Sequence, residues 1–221
     1  GAIEVIPNGS SLPSAQEYSE QALTELKQKI GKKDGELFLV SVSRLVYQKG
    51  IDTVIRALPL LPKNIRYLIV GDGEDKGKLA HLVEELGVTD RVIFTGQVDR
   101  TMTAKYRKIS DIFILPSRSE GQGISFLSTM VSGLPIIATQ EGGIADFLFD
   151  AKRNPDKEAT GWAVDKNSPE QIAEAVKEIL ANPEQVKKVV TTARQFAIEN
   201  FDWNIISKNM REKVFGRVLT K

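Results

Sequence analysis

Short apolar runs alternate with longer and more polar segments along the chain from residue 36 onwards. Each run is rich in β-branched or large apolar residues, which predicts strands at 37–43, 67–71, 91–96, 111–117 and 134–139. The runs are apolar throughout instead of alternating, as expected for parallel strands that helices cover on both faces. The segments between them predict helices at 50–61, 75–87, 101–110 and 124–133. The pattern therefore predicts an α/β fold with a doubly wound, Rossmann-like parallel sheet.

The end of the chain is mostly helical in pattern, after a candidate edge strand at 160–164. Ser168 is a predicted N-cap, Pro169 stands in the first turn, and Gln171 completes a capping box, so a helix is expected at 168–180. Further helices are predicted at 182–200 and 204–219, which gives a helical C-terminal tail.

The start of the chain predicts a short turn followed by a helix. An apolar run and an Asn-Gly turn occupy the first residues, and a helix is predicted at 14–31. The expected divisions are a leading segment, a main domain and a C-terminal helix, at 1–13, 14–200 and 201–221.

Composition excludes several classes of protein. Lys and Arg total 30 against 29 Asp and Glu, so no bulk basic field draws nucleic acid, and any anion site must be local. No Cys is present, which excludes disulfides, zinc thiolate sites and a cysteine nucleophile, and fits a reducing cytoplasm. No apolar run approaches the roughly 20 residues of a transmembrane helix. We expect a cytoplasmic protein, in which attachment to a membrane surface would require a partner or a further domain.

Three aromatic or imidazole side chains are expected to have structural roles. His81 is the single histidine and falls within a predicted helix away from strand ends, which predicts an exposed residue and not a catalytic base. A Ser-His-Asp triad and a histidine-rich metal site are therefore disfavoured. Trp162 and Trp203 are interpreted as packing residues.

Ligands of open parallel sheets bind at the carboxyl ends of the strands, where loops run into helix N-termini. Arg44 and Lys49 follow the first predicted strand, in a loop that opens a helix near Gly50. Two cations beside the positive end of a helix favour a pyrophosphate site. The alternative for this pair is a solvated surface loop.

A lone carboxylate follows the fourth predicted strand, in the sequence SRSEGQG. Glu120 can accept hydrogen bonds from sugar hydroxyls, while Gly121 and Gly123 let the backbone approach a ligand closely. The alternative is that Glu120 caps the following helix. Gly142 and Gly143, which follow the fifth strand, are expected to face the same crevice.

A third glycine cluster is interpreted as a turn. Gly71, Gly73 and Gly77 have the spacing G-x-G-x-x-x-G, one residue longer than the dinucleotide fingerprint, and they follow the second strand of the series. This spacing and position favour a tight turn into a helix. They disfavour a nicotinamide-dependent oxidoreductase.

Six segments together resemble the C-terminal domain of retaining glycosyltransferases of family 4, the GT-B group related to glycogen and sucrose-phosphate synthases. The order and spacing of these segments over most of the chain make the resemblance specific. They are VIPNG (5–9), SVSRLVYQKGIDTVIRA (41–57), LIVGDGEDKGKL (68–79), RVIFTGQV (91–98), DIFILPSRSEGQGISFLSTMVSGLPIIAT (111–139) and GGIADFL (142–148).

The resemblance implies that this domain binds a nucleotide-sugar donor such as a UDP-sugar. It implies that Arg44 and Lys49 hold the donor diphosphate and that the backbone near Val98 meets the base. Arg44, Lys49 and Glu120 are the catalytic residues that it implies, with no metal and no other cofactor. The donor-binding residues that it implies are Arg44, Lys49, Val98, Glu120, Gly121, Gln122, Gly123, Ile124 and Ser128.

The sequence departs from the family pattern at three positions. The family carries two glutamates with seven residues between them; Glu120 is the first, and Ser128 stands in the place of the second. The resemblance assigns that second carboxylate to the ribose hydroxyls, so its loss would weaken binding by about 1–3 kcal/mol. Gln122 replaces a residue that is commonly apolar, and Asp146 replaces a more frequent Glu.

The resemblance also implies a two-domain enzyme in which an acceptor-binding domain precedes a segment like residues 5–9. The chain is thus expected to be the donor-binding half, with a hinge-like leading segment, and to transfer little sugar without its N-terminal partner domain. The alternative function is a non-catalytic binding module on the same fold, in which Ser128 reflects a degenerate donor site.

Overall fold

The computed structural model describes Gly9 and residues 18–216. The hinge-like segment therefore lies outside the described residues except for Gly9, and so does the beginning of the helix predicted at 14–31. Gly9 packs against the indole of Trp203, since a Cβ at this glycine would lie 2.7 Å from ring atom Cδ2. Trp203 is nevertheless 45% exposed, whereas Trp162 is buried as expected.

Six strands form one sheet, and each pair of neighbours is parallel. The strands are β1 (Leu37–Val42), β2 (Ile65–Val70), β3 (Val92–Gly96), β4 (Ile112–Leu115), β5 (Ile136–Ala138) and β6 (Trp162–Ala163). All five strands predicted from apolar runs are confirmed, and the candidate edge strand is β6. The central residues of β1, β2, β4 and β5 are buried on both faces, which is why those runs do not alternate, whereas every residue of the edge strand β3 is only partly buried.

The helices follow the predicted order, with ends that differ by a few residues. They are α1 (Glu20–Lys29), α2 (Ile51–Ala57), α3 (Lys76–Glu85), α4 (Arg100–Lys108), α5 (Ile124–Ser132), α6 (Pro169–Ala181), α7 (Pro183–Phe201) and α8 (Trp203–Met210). Short 3₁₀ turns occur at Tyr47–Lys49, Leu58–Leu60, Thr89–Arg91 and Gly142–Asp146, and a π-helical turn at Arg211–Phe215 follows α8.

The strand order is β3-β2-β1-β4-β5-β6, the order of a doubly wound Rossmann-type sheet. Right-handed crossovers place α2 and α3 on one face, and α4 and α5 on the other. The helix contacts agree, because α2 packs against α3 and α6, while α5 packs against α4 and α7. The direction of winding reverses between β1 and β4, which makes the carboxyl ends of these two strands the topological switch point.

One local prediction is only half right. Ser168 caps α6 by accepting a hydrogen bond from the Gln171 amide at 3.4 Å. The Gln171 side chain accepts from the Asp165 amide at 2.8 Å instead of the Ser168 amide, so the reciprocal bond of the capping box is absent among the described residues. Within residues 18–216, no helix has the length and apolar character that crossing a membrane requires.

Candidate functional site

The loops after β1 and β4 lie against each other at the switch point. Gly50 has φ +66°, and a Cβ there would lie 2.2 Å from the Pro116 carbonyl oxygen, so only glycine allows this approach. The Arg118 amide donates to the Gln48 carbonyl at 2.7 Å across the same junction. The sheet topology therefore brings residues 43–50 together with residues 116–123.

An ion pair joins these two loops. Lys49 Nζ lies 2.5 Å from Glu120 Oε2, and the two side chains are 18% and 12% exposed. The Ser117 hydroxyl, which is itself buried, lies 3.4 Å from the same carboxylate oxygen. The other Glu120 oxygen accepts from the Gly121 amide at 3.2 Å. Glu120 therefore does not cap α5, whose N-cap is Gly123, and the capping alternative is wrong.

The Lys49–Glu120 pair borders a cleft of about 400 Å³, called here the Lys49 cleft. The cleft is lined by six of the residues that the sequence singles out, together with Val42, Ser43 and Ser125. The six are Arg44, Lys49, Glu120, Gln122, Gly123 and Ile124.

A second cleft of about 510 Å³, the Val98 cleft, continues along the carboxyl edge of the sheet. The two clefts share Val42, Ser43 and Arg44, so they form one trough that crosses the ends of β1, β2 and β4. We call the pair the carboxyl-edge trough. Val98 lies at its far end, beyond β2.

The beginning of α5 supplies main-chain donors to this trough. The first amides of a helix have no carbonyl partner within the helix. Ile124 and Ser125 open α5 and line the Lys49 cleft, and neither amide donates to a main-chain carbonyl of a described residue. Together with Arg44 and Lys49, these amides make the Lys49 cleft suited to an anion.

Two of the predicted site residues do not line the trough. Ser128 lies one helical turn further along α5, where its hydroxyl donates to the Ile124 carbonyl at 3.1 Å. Gly121 lies in the loop, and its carbonyl accepts from the Gly143 amide at 2.9 Å. Both residues therefore border the site without forming its surface.

The second glycine pair supports the Glu120 loop from behind. A Cβ at Gly142 would lie 2.0 Å from the Glu120 carbonyl oxygen, and one at Gly143 would lie 2.2 Å from that of Gly121. These glycines thus allow the loop after β5 to pack directly against the loop that carries Glu120.

Two residues of this region escaped the sequence analysis. Ser43 lines both clefts, and its hydroxyl is buried without a hydrogen-bond partner among the described residues. Arg118 stands between β4 and Glu120, and its guanidinium is hydrogen-bonded to Asp52. That bond raises the pKa of Arg118, so the group is charged. The sequence offered one signal for each residue. Ser43 is a polar residue at the end of the first predicted strand, and Arg118 stands two positions before the lone carboxylate.

Charge is unevenly distributed around the trough. Lys49 is paired with Glu120, whereas the exposed Arg44 side chain forms no hydrogen bond or ion pair with a described residue. His81 is exposed on α3, as expected. No group of three or more His, Cys, Asp or Glu side chains with a metal-binding arrangement occurs within the part of the chain that the structure describes.

Comparisons with known proteins identify the family. The family model for group 1 glycosyl transferases matches residues 23–196. A GDP-mannose-dependent α-(1-6)-phosphatidylinositol monomannoside mannosyltransferase of Mycolicibacterium smegmatis is 31% identical over 189 residues, which are 81% of this chain and 48% of the relative. An α-monoglucosyldiacylglycerol synthase of Streptococcus pneumoniae is 38% identical over 139 residues, which are 61% of this chain and 32% of the relative. The chain thus spans about half the length, or less, of these curated relatives.

Solved structures of glycosyltransferases have a domain with the same fold as this chain. Anabaena HepE in complex with UDP and glucose matches with a TM-score of 0.84 at 21% identity, over 96% of this chain and 56% of HepE. The C-terminal domain of a group 1 glycosyl transferase, LpcC from Francisella tularensis, matches with a TM-score of 0.70 at 21% identity, over 86% of this chain and 97% of that domain. The chain belongs to the group 1 glycosyl transferase family (GT4), and its fold is that of the C-terminal domain of a GT-B enzyme.

Proposed function

We propose that the chain is the donor-binding domain of a retaining hexosyltransferase and holds a nucleoside-diphosphate sugar in the carboxyl-edge trough. The observation on which this rests is the meeting of Arg44, Lys49 and the open N-terminus of α5 around one cleft at the switch point. A diphosphate is the group that best matches two cations and a set of free amides. Glu120, beside Lys49, is suited to the sugar hydroxyls.

The chemistry would use these groups as electrostatic stabilisers. Breaking the bond between the sugar and the diphosphate leaves negative charge on the departing phosphate oxygen. Arg44, Lys49 and the amides of Ile124 and Ser125 would stabilise that charge more strongly in the transition state than in the ground state. These cations suffice for this role, so no metal is part of the proposal.

The base would lie at the other end of the trough, near Val98. Two relatives differ in the nucleotide that their names give, since one is GDP-mannose-dependent and HepE was solved with UDP and with UDP-glucose. The titration described below therefore decides which base the site prefers. Transfer to an acceptor would require a second domain, and we expect little transfer by this chain alone.

A second function, a non-catalytic binding module, is favoured by one observation. The Ser128 hydroxyl is committed to the Ile124 carbonyl, and Ser128 does not line the trough. A site without a ribose ligand at this position could have lost its donor while keeping its fold.

Calorimetric titration of the 221-residue chain with UDP, GDP, ADP and UDP-glucose tests the two functions. The donor-binding function predicts saturable binding that prefers one base and weakens as salt is added, because the anion site is partly exposed. Absence of binding by all four ligands, in a chain shown to be folded by circular dichroism, would reject it in favour of the binding module.

A further inference from the structure

Arg118 lies two residues before Glu120 but lines neither cleft. Its side chain is 11% exposed and forms a fork with the Asp52 carboxylate, at 2.8 Å and 2.7 Å. Asp52 belongs to the first turn of α2, which directly follows the loop of Lys49. The guanidinium thus connects the β4 loop with the helix that the β1 loop opens.

Arg118 also makes three contacts with the 3₁₀ turn Tyr47–Lys49. Its guanidinium donates to the Tyr47 carbonyl at 2.6 Å and lies 4.1 Å from the centre of the Tyr47 ring. Its main-chain amide donates to the Gln48 carbonyl at 2.7 Å. The turn itself contributes two hydrogen bonds, from Lys49 to Val46 and from Gly50 to Tyr47. Arg118 therefore supplies as many hydrogen bonds to this turn as the turn supplies to itself.

Every donor of the Arg118 guanidinium has an acceptor. The Nε group donates to Asn167 at 2.6 Å, and the terminal groups donate to Tyr47, twice to Asp52, and to the Thr53 hydroxyl at 3.3 Å. Asn167 has φ +59° and immediately precedes the N-cap of α6. A lysine could not reproduce this set, because an ammonium group is not a planar fork with five donors.

We propose that Arg118 is a positioning residue that holds the Tyr47–Lys49 turn so that the Lys49 ammonium stays at the Lys49 cleft. This inference rests on the proposed donor-binding function for its effect on affinity. Arg118 acts through Lys49 and does not contact the ligand. Pre-organising the turn lowers the cost of ordering it when a diphosphate binds.

The first test needs no ligand. Hydrogen exchange of the peptide covering residues 44–50 is compared between the wild-type chain and Arg118→Lys. Loss of the guanidinium contacts with Tyr47 and Asp52 should speed exchange of the Lys49 and Gly50 amides by about tenfold, since local opening of the turn would no longer break these contacts. Arg66→Lys is the matched control, because Arg66 pairs with Glu36 at the opposite end of the sheet. Unchanged exchange in Arg118→Lys would overturn the positioning role.

The second test is a double-mutant cycle on nucleoside diphosphate affinity. Arg118→Lys keeps the positive charge, and we expect it to weaken binding by about tenfold in the wild-type chain and less than about twofold in a Lys49→Ala background. Equal weakening in both backgrounds would show that Arg118 acts independently of Lys49 and would overturn the inference. If the wild-type chain binds no nucleoside diphosphate, the proposed function fails, while the exchange experiment still decides whether Arg118 holds the turn.

Discussion

Lys49 and Glu120 are 71 positions apart in the sequence, and Lys49 Nζ lies 2.5 Å from Glu120 Oε2. The pair joins the two loops of the switch point and places opposite charges at the wall of one cleft. An incoming diphosphate would compete with Glu120 for the Lys49 ammonium. A sugar would instead donate hydrogen bonds from its hydroxyls to the Glu120 carboxylate. Under the proposed function, the pair would therefore distinguish the diphosphate from the sugar of a nucleotide sugar by charge.

Glu120→Gln should therefore separate binding of the diphosphate from binding of the sugar. Without the carboxylate, Lys49 is free for phosphate oxygens, so affinity for the nucleoside diphosphate should rise by about fivefold, the scale of a partly exposed ion pair. Affinity for the matching nucleotide sugar should rise less or fall, because an amide accepts hydrogen bonds more weakly than a carboxylate. Calorimetry with both ligands measures this difference, and a parallel rise in the two affinities would contradict it.

Lys49→Ala and Arg44→Ala should each weaken nucleoside diphosphate binding. Loss of a charge-assisted hydrogen bond worth about 1.5–3 kcal/mol corresponds to about 10- to 150-fold in affinity. Lys188→Ala removes the same charge from an exposed position on α7 and serves as the control. Unchanged affinity in both site variants would remove these residues from the proposed site.

Ser128→Glu should strengthen nucleoside diphosphate binding. Ser128 is partly exposed, so a longer side chain can leave the helix surface and reach towards the ribose. A carboxylate that accepts from two hydroxyls should contribute about 1–3 kcal/mol. Ser128→Gln has the same length without the charge, so it should recover only part of the gain. Equal affinities for wild type, Ser128→Gln and Ser128→Glu would mean that the ribose does not approach this position.

Arg91→Ala should destabilise the fold without touching the trough. The buried Arg91 guanidinium donates to four main-chain carbonyls that end the α2 region and begin β2, those of Leu58, Leu61, Pro62 and Ile65. Removing these donors should lower the free energy of unfolding by about 3 kcal/mol.

Urea denaturation measures the effect of Arg91→Ala. Arg56→Ala, an exposed arginine on α2, should change the free energy of unfolding by less than about 0.5 kcal/mol. Similar losses in the two variants would mean that the carbonyl contacts of Arg91 do not matter for stability.

Arg107→Met should stabilise the protein. Arg107 is 8% exposed on α4, and its buried Nε has no hydrogen-bond partner among the described residues. Burial lowers the pKa of Arg107 to about 10. Replacing such a group by an apolar side chain of similar length should raise the free energy of unfolding by about 1–2 kcal/mol at pH 7.

The pH dependence of this gain has a definite sign. The unfolded chain keeps Arg107 charged to higher pH than the folded chain does, so the charged form penalises folding below pH 10. The advantage of Arg107→Met should therefore be constant near neutrality and shrink above pH 10. Lys108→Met, at the exposed neighbouring position, should show neither effect in urea denaturation measured across pH.

Residues that line the trough could be predicted where a single loop contains the signal. Arg44 and Lys49 share the loop after β1, and Glu120 follows β4 among glycines, so their residue types and position in the strand series sufficed. Gly121 was included as a glycine of the Glu120 loop, Ser128 was included by resemblance, and neither residue lines the trough. A motif marks positions along a helix or loop but does not say which of them form the surface of a cleft.

The sequence by itself determined the elements of this protein and their order along the chain. The apolar runs predicted β1 to β5, and in β1, β2, β4 and β5 burial on both faces explains why the run is apolar along its length. The N-cap of α6 at Ser168 was also predictable, because a cap and the first turn of its helix are neighbours in the sequence.

Only the tertiary structure decided which of these elements meet. The strand order put β4 beside β1, and that placement created the Lys49–Glu120 pair and the Arg118–Asp52 fork, whose members are 71 and 66 positions apart. Such contacts depend on packing between distant segments, and packing is not encoded in the local pattern of any one of them.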